Sequence, residues 1–159
     1  MDSQSTLSLI SGWLRPSPAS ASVEFANALF RVCLGGFIFF VHGLHKLRGA
    51  LAYLRSGKPW PLEREVAEIH VPLPFESALA ATLIQFVGGA LLILGLATRP
   101  VALVLTVTLG VAIYQNIATR RDPQLAMLYV LGVATLAIWG GGHYSLDALI
   151  WLPRGGGQP

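Results

Sequence analysis

Charge is what this 159-residue sequence has least of: only 12% of its residues are Asp, Glu, Lys or Arg, where soluble domains carry about a quarter. A helix on the surface of a soluble protein keeps a charged face, so this scarcity, beside 53% hydrophobic residues, excludes an ordinary water-soluble domain. Cysteine is nearly absent too. Cys33 stands alone inside an apolar run, which excludes an internal disulfide, a CxxC dithiol and a thiolate cage for zinc. The four histidines, His42, His45, His70 and His143, form no HExxH pair and no other specific metal spacing, so neither a metal nor haem is supported. The formal charge of +3 does not point to nucleic acid, because membrane proteins acquire a basic balance from loop Lys and Arg facing the cytoplasm. Residues 1–22 contain Pro16, Pro18 and many serines without a charged start followed by an apolar core. They read as a flexible segment rather than a cleaved signal peptide, and the first helix is expected to direct insertion itself.

What the sequence does have is long apolar runs. Residues 25–44 supply about 20 residues, the length that ~30 Å of hydrocarbon requires at ~1.5 Å rise per residue. Residues 78–97 contain no charge and stop at Thr98, Arg99 and Pro100. A third run starts at Pro100, well suited to a first helical turn, and is stopped by Arg120, Arg121, Asp122 and Pro123. A fourth, shorter run ends in Gly140, Gly141 and Gly142. The spacing predicts helices at about 25–46, 76–97, 100–118 and 124–140, forming a transmembrane domain over 23–152 with a disordered tail at 153–159. The fold class expected is all-α, an integral membrane four-helix bundle, and the short later connections favour an up-down-up-down order. The one long connection carries Glu63, Arg64, Glu65 and Glu68 beside Leu62, Val66 and Ile69, the pattern of a short amphipathic helix lying at the interface or capping the bundle. Lys46, Arg48, Arg55, Lys58, Arg64, Arg120 and Arg121 outnumber Arg15, Arg99 and Arg154 on the opposite side. By the positive-inside rule both termini are expected outside.

The polar residues inside these runs follow a pattern. Glu24, Asn27, Arg31, Gly35, Ile38, His42 and His45 recur at steps of three and four, which places them on one stripe of helix 1. A charged Arg in hydrocarbon costs about 2.5 to 3.5 kcal/mol on insertion scales, so the stripe is expected to face the other helices, with Arg31 paired to Asp147 or Glu24 as a structural ion pair. Small and hydroxyl residues on the other helices, among them Thr82, Gly89, Thr106, Gly110, Gly132 and Thr135, let backbones approach and hydrogen-bond across. His42 and His45, spaced i, i+3, could hold a metal, a haem or a quinone carbonyl, or could simply end helix 1 at the interface. A candidate pocket is built from Arg31, His42, His45, Gln85 and Tyr114, the available hydrogen-bonding groups for a quinone in an apolar slot. No complete catalytic motif is present, and no catalytic residue is assigned.

Three runs resemble a known family. Residues 31–47, RVCLGGFIFFVHGLHKL, are similar to the first-helix pattern of the DoxX family; residues 88–99, GGALLILGLATR, to its second helix and exit; and residues 140–149, GGGHYSLDAL, to its motif at the end of helix 4. The resemblance covers about residues 24–150. It implies a four-helix protein of the bacterial cytoplasmic membrane associated with redox systems, such as small subunits of thiosulfate:quinone oxidoreductases and partners of thiol-stress enzymes. One position departs from the pattern: where the family usually has Glu three residues before the double glycine, this chain has Gln85, which cannot carry a proton. Two functional classes follow. In one, the chain is a redox-associated subunit that binds quinone, its only suggested cofactor, or helps a partner oxidoreductase reach it. In the other it is a non-catalytic anchor or assembly partner that docks a protein through residues 61–69. A small-solute transporter is less well matched, since four spans without a discontinuous helix would need a homo-oligomer.

Overall fold

The computed structural model describes residues 20–151, so the expected disordered tail and nearly all of the expected flexible N-terminal segment lie outside the described residues. Helix α1 (Ala21–Ser56) is a single 36-residue rod in which α-helical turns at Ala21–Gly36 and His45–Ser56 flank a π-helical stretch, Phe37–Leu44. It is followed by α2 (Pro61–Glu68), α3 (Pro74–Leu94), α4 (Thr98–Ala118), α5 (Gln124–Trp139) and α6 (Leu146–Trp151). Among the described residues there is no strand.

Helix α1 continues ten residues beyond Lys46, where hydrophobicity alone places its end. Leu47, Ala50, Leu51, Ala52 and Leu54 keep helix propensity high after the apolar run stops, and Gly57 ends the helix in the left-handed conformation, φ +63°. At about 54 Å, α1 is longer than ~30 Å of hydrocarbon, so its last turns stand beyond the apolar layer. There Ala50 packs with Trp60, Val66 of α2 and Ala78 of α3 in a small buried cluster. The amphipathic segment is thus a helix seated on the bundle's end by its apolar stripe.

Helix α3 stops at Leu94, before Ala97, because Gly95 adopts φ +69°. The N–H of Gly95 donates to Leu92 O at 3.1 Å and that of Leu96 to Leu91 O at 3.0 Å, the paired closure that left-handed glycine allows. Helices α1 and α3 pack along much of their length, as do α4 and α5, whereas α1 and α5 touch sparsely. The α1/α3 approach is backbone-close. A Cβ on Gly43 would lie 2.6 Å from Phe86 Cα, and one on Gly89 would lie 2.7 Å from Phe39 N.

The main core is small, with Leu34, Ile38, Leu92, Leu105, Leu109, Val133 and Leu136 buried where α1, α3, α4 and α5 meet. Most apolar residues point outward, including Phe25, Phe40, Val107, Leu128 and Ile138. In the most apolar windows of α1, α3 and α4, only 17% to 33% of residues are buried, so the remaining hydrophobic surface must be met by lipid rather than water. These three helices are long and apolar enough to cross a membrane; α5 is apolar but has 16 residues.

Candidate functional site

Polar groups collect at both ends of this apolar body, and the two collections differ. At the end formed by the start of α1, the α3–α4 turn and residues 140–147, charged and amide side chains hold backbone, while Asn27 Oδ1, Arg31 Nε and Thr98 Oγ1 stay buried without a hydrogen-bond partner. Arg31, 1% exposed, donates to Leu92 O at 2.6 Å, Ile93 O at 2.8 Å and Tyr144 O at 2.6 Å. Asp147 accepts from the N–H groups of Ala97 at 2.6 Å and Thr98 at 2.8 Å. Glu24 accepts from the backbone N–H of His143 at 2.7 Å, and its other oxygen lies 3.3 Å from His143 Nδ1.

The expected ion pair is therefore replaced by something else. Neither Asp147 nor Glu24 forms an ion pair with Arg31. The guanidinium sits on carbonyls of the last turn of α3, sharing Leu92 O with the Gly95 N–H, and the carboxylate of Asp147 on the N–H groups that open α4. Helix ends leave such groups unpaired and carry partial charges of these signs, so a cation and an anion each find a stronger local partner than one another. Ala97, a non-glycine residue at φ +50°, is held in that conformation by the Asp147 bond. Asn27 completes the knot by donating to Gly140 O at 3.2 Å. This end is a clasp.

The opposite end is open. A cavity of about 260 Å³ is lined by His42, Lys46, Gln85, Gln115, Asn116 and Tyr129, with Glu65 from α2 and Asp122 from the α4–α5 connection at its mouth. Two buried side-chain atoms here have no hydrogen-bond partner, His42 Nε2 and Gln85 Oε1. Such atoms cost about 1–3 kcal/mol each when left unpaired, and these two line a cavity with room for a molecule that could pair them. The ring of Tyr129 meets that of His42 edge-on, centroids 4.9 Å apart. Glu65 reaches across the mouth to Gln115 Nε2 at 3.1 Å and Arg121 at 2.5 Å. That hydrogen bond and the Glu65 charge raise the Arg121 pKa above its ordinary value, keeping the exposed cation charged at every working pH.

Of the five residues expected to share a pocket, the structure brings together His42 and Gln85. Arg31 lies about 16 Å away along α1, in the clasp. His45 is exposed and Tyr114 is 61% exposed, facing outward. The π-helical stretch explains His45. Buried positions on α1 run Asn27, Arg31, Leu34 and Ile38 at helical steps, then jump by five to Gly43. The extra residue in that wide turn rotates the stripe, carrying His45 out and leaving Lys46 in the lining. Glu65, Asp122 and Tyr129 carry no sequence signal of their own, since each comes from a different element than the stripe; only the helical spacing around Glu65 could have pointed to one of them.

The DoxX family model matches residues 26–118, more than half of the chain. This chain belongs to the DoxX family. It is 29% identical over 143 residues to a protein of Bacillus subtilis (strain 168) named "Putative oxidoreductase CatD", a match that covers 86% of this chain and 96% of that protein. No solved structure matches it. The matched family region contains both halves of the open cavity's floor, His42 and Gln85, while the glycine-rich half of the clasp follows it.

Proposed function

We propose that this DoxX protein is a redox-associated membrane subunit that binds the head group of a quinone in the His42/Gln85 cavity and supports a partner oxidoreductase. The observation that carries the reading is the pair of buried, unpartnered polar atoms, His42 Nε2 and Gln85 Oε1, facing one cavity. A quinone carbonyl needs a donor, and a protonated imidazole nitrogen supplies one. A quinol hydroxyl needs an acceptor, which Gln85 Oε1 supplies. The cavity volume, about 260 Å³, suits a single ring; binding pockets for drug-sized ligands and cofactors run from ~300 to ~1,000 Å³, which argues against a flavin or a nicotinamide dinucleotide. Reducing a quinone takes two electrons and two protons. The electrons come from the partner and both protons from water at the cavity mouth, with the His42 imidazole as the relay to the ring. The oxidoreductase name of the Bacillus subtilis relative agrees with this chemistry.

In this reading all four apolar helices, α1, α3, α4 and α5, cross a bacterial cytoplasmic membrane in up-down-up-down order. Both termini and the clasp lie outside, and α2 with the cavity mouth lies on the cytoplasmic side. A non-catalytic anchor is the second reading, favoured by the exposed Arg64 and Glu68 on the outer face of α2, which a docking protein could contact. Purification from native membranes separates the two. The quinone reading expects extractable quinone near one per chain together with a co-purifying oxidoreductase; a chain recovered with a partner but free of quinone supports the anchor and contradicts the quinone site.

A further inference from the structure

Two apolar grooves of comparable size run down the outside of the helices, and only one leads anywhere. The groove between α3 and α4, about 450 Å³, is lined by residues such as Val87, Leu91 and Val104 and shares no lining residue with the polar cavity. It is ordinary lipid-facing surface. The groove between α1 and α5, about 640 Å³, is lined by Phe30, Cys33 and Phe37 from one helix and Leu128, Gly132 and Thr135 from the other. Leu125 and Tyr129 line both this groove and the polar cavity.

We infer that the α1/α5 groove holds the isoprenoid tail of the ligand whose head group occupies the His42/Gln85 cavity, and that this seam is the ligand's lateral way in from the bilayer. The inference rests on the quinone reading above and adds the ligand's class, a lipid-soluble rather than a water-soluble ring, and its route.

Three features support it. The groove adjoins the cavity, with Leu125 and Tyr129 lining both, and the Tyr129 ring, edge-on to His42, stands between the two. The α1/α5 contact is sparse, while α1 is packed on α3 and α5 on α4; the Asn27–Gly140 bond closes the seam at the clasp, so it can part toward the cavity end without disturbing the close glycine contacts at Gly43 and Gly89. The groove's level also fits. Tyr129 and Thr135 are six residues apart, about 9 Å along α5, and Cys33 lies about 13 Å along α1 from His42. A tail leaving the head group therefore runs toward the middle of the hydrocarbon, where its remaining carbons join the lipid. Gly132 lies on the groove's floor against α1, where a Cβ would meet the Leu34 methyl carbons at 2.9 and 3.3 Å and Phe30 Cζ at 3.4 Å, so a larger side chain there intrudes on the groove.

The test uses the full-length protein in nanodiscs and two benzoquinones with the same fully substituted ring, one bearing a methyl group where the other bears two isoprene units. Kd values are corrected for partition into the lipid. Wild type is expected to bind the tailed ring at least about fivefold more tightly. Gly132→Leu and Thr135→Trp, two independent ways to fill the groove, should each erase that advantage while leaving the methyl analogue's Kd unchanged, and Val104→Trp in the α3/α4 groove should change neither. A tailed quinone carrying a diazirine on its second isoprene unit should crosslink to residues 30–37 and 125–135. Equal affinity of wild type for the two rings, a tail advantage that survives both groove substitutions, or crosslinks concentrated on α3 and α4 would each overturn the inference while leaving the head-group site standing. Failure of the methyl analogue to bind wild type at all would overturn the head-group site itself, and the tail route with it.

Discussion

Arg31 and His42 lie on the same helix and do opposite work. The guanidinium has three carbonyl partners, whereas the imidazole Nε2 has none. Charge-assisted bonds of the first kind contribute about 1.5–3 kcal/mol each when broken singly. Arg31→Ala should therefore cost at least about 3 kcal/mol of stability, read as a large loss of midpoint in denaturant titration of the micelle-bound protein. Arg31→Lys should recover only part of it, because an ammonium cannot span carbonyls on both the α3 end and the Tyr144 loop as a fork does. His42→Ala should do the reverse, leaving stability near wild type or raising it while removing ligand binding. At this scale the sequence was legible to a degree: the polar stripe announced that Arg31, Asp147 and Glu24 would gather at one end. It could not say which partner each would take, because helix-end carbonyls and N–H groups carry no residue identity. Their claim on Arg31 and Asp147 emerges only when Gly95 fixes where α3 ends and α4 begins.

The elements set which residues reach the cavity. A 3.6-residue period assigned His42 and His45 to one stripe, yet the π-helical turn at Phe37–Leu44 inserts an extra residue and breaks the period between Ile38 and Gly43. Nothing in the local sequence marks that turn, since Phe37 to Val41 are all good membrane-helix residues. Deleting Phe40 should remove the extra residue, so that Gly43 follows Ile38 by four and a regular helix keeps His42 and Lys46 on the cavity side. The expected result is ligand binding retained with helical circular dichroism unchanged; loss of binding in a folded variant would mean that the wide turn itself shapes the site. The α1/α3 contact makes a second prediction. Gly89→Ala pushes a methyl group to within 2.7 Å of Phe39 backbone, and overpacking of this kind costs about 1–3 kcal/mol, measurable as a fall in thermal midpoint; Gly36→Ala, which meets nothing within 4 Å, is the matched control. By contrast the amphipathic pattern of residues 61–69 was fully readable, because apolar spacing and the buried face around Val66 are the same information.

Across the whole molecule the apolar runs told most of the story: the scarcity of charge, the lengths of α3 and α4, and the tight turns between later helices follow directly from composition and from Gly95, Pro100 and Pro123. The extension of α1 to Ser56 was hidden because hydrophobicity falls there while helix propensity does not. The resulting body has a clasped end and an open end, joined by a helix that serves both. If the four helices cross in alternation, cysteines introduced at Ser56 and Asp122 should be labelled by an impermeant reagent from one side of sealed vesicles, and one at Tyr144 from the other; labelling of all three from a single side would contradict the proposed order.

Saturable binding of a short-chain benzoquinone to the purified full-length chain is the decisive test of a quinone head-group site in the His42/Gln85 cavity. Wild type is expected to show about one site per chain, with affinity reduced at least about tenfold, or ~1.4 kcal/mol, by His42→Ala and separately by Gln85→Leu, and unchanged by Tyr114→Phe and His45→Ala. Saturable binding that is indifferent to His42 and Gln85, or no saturable binding by the wild-type chain, would contradict it.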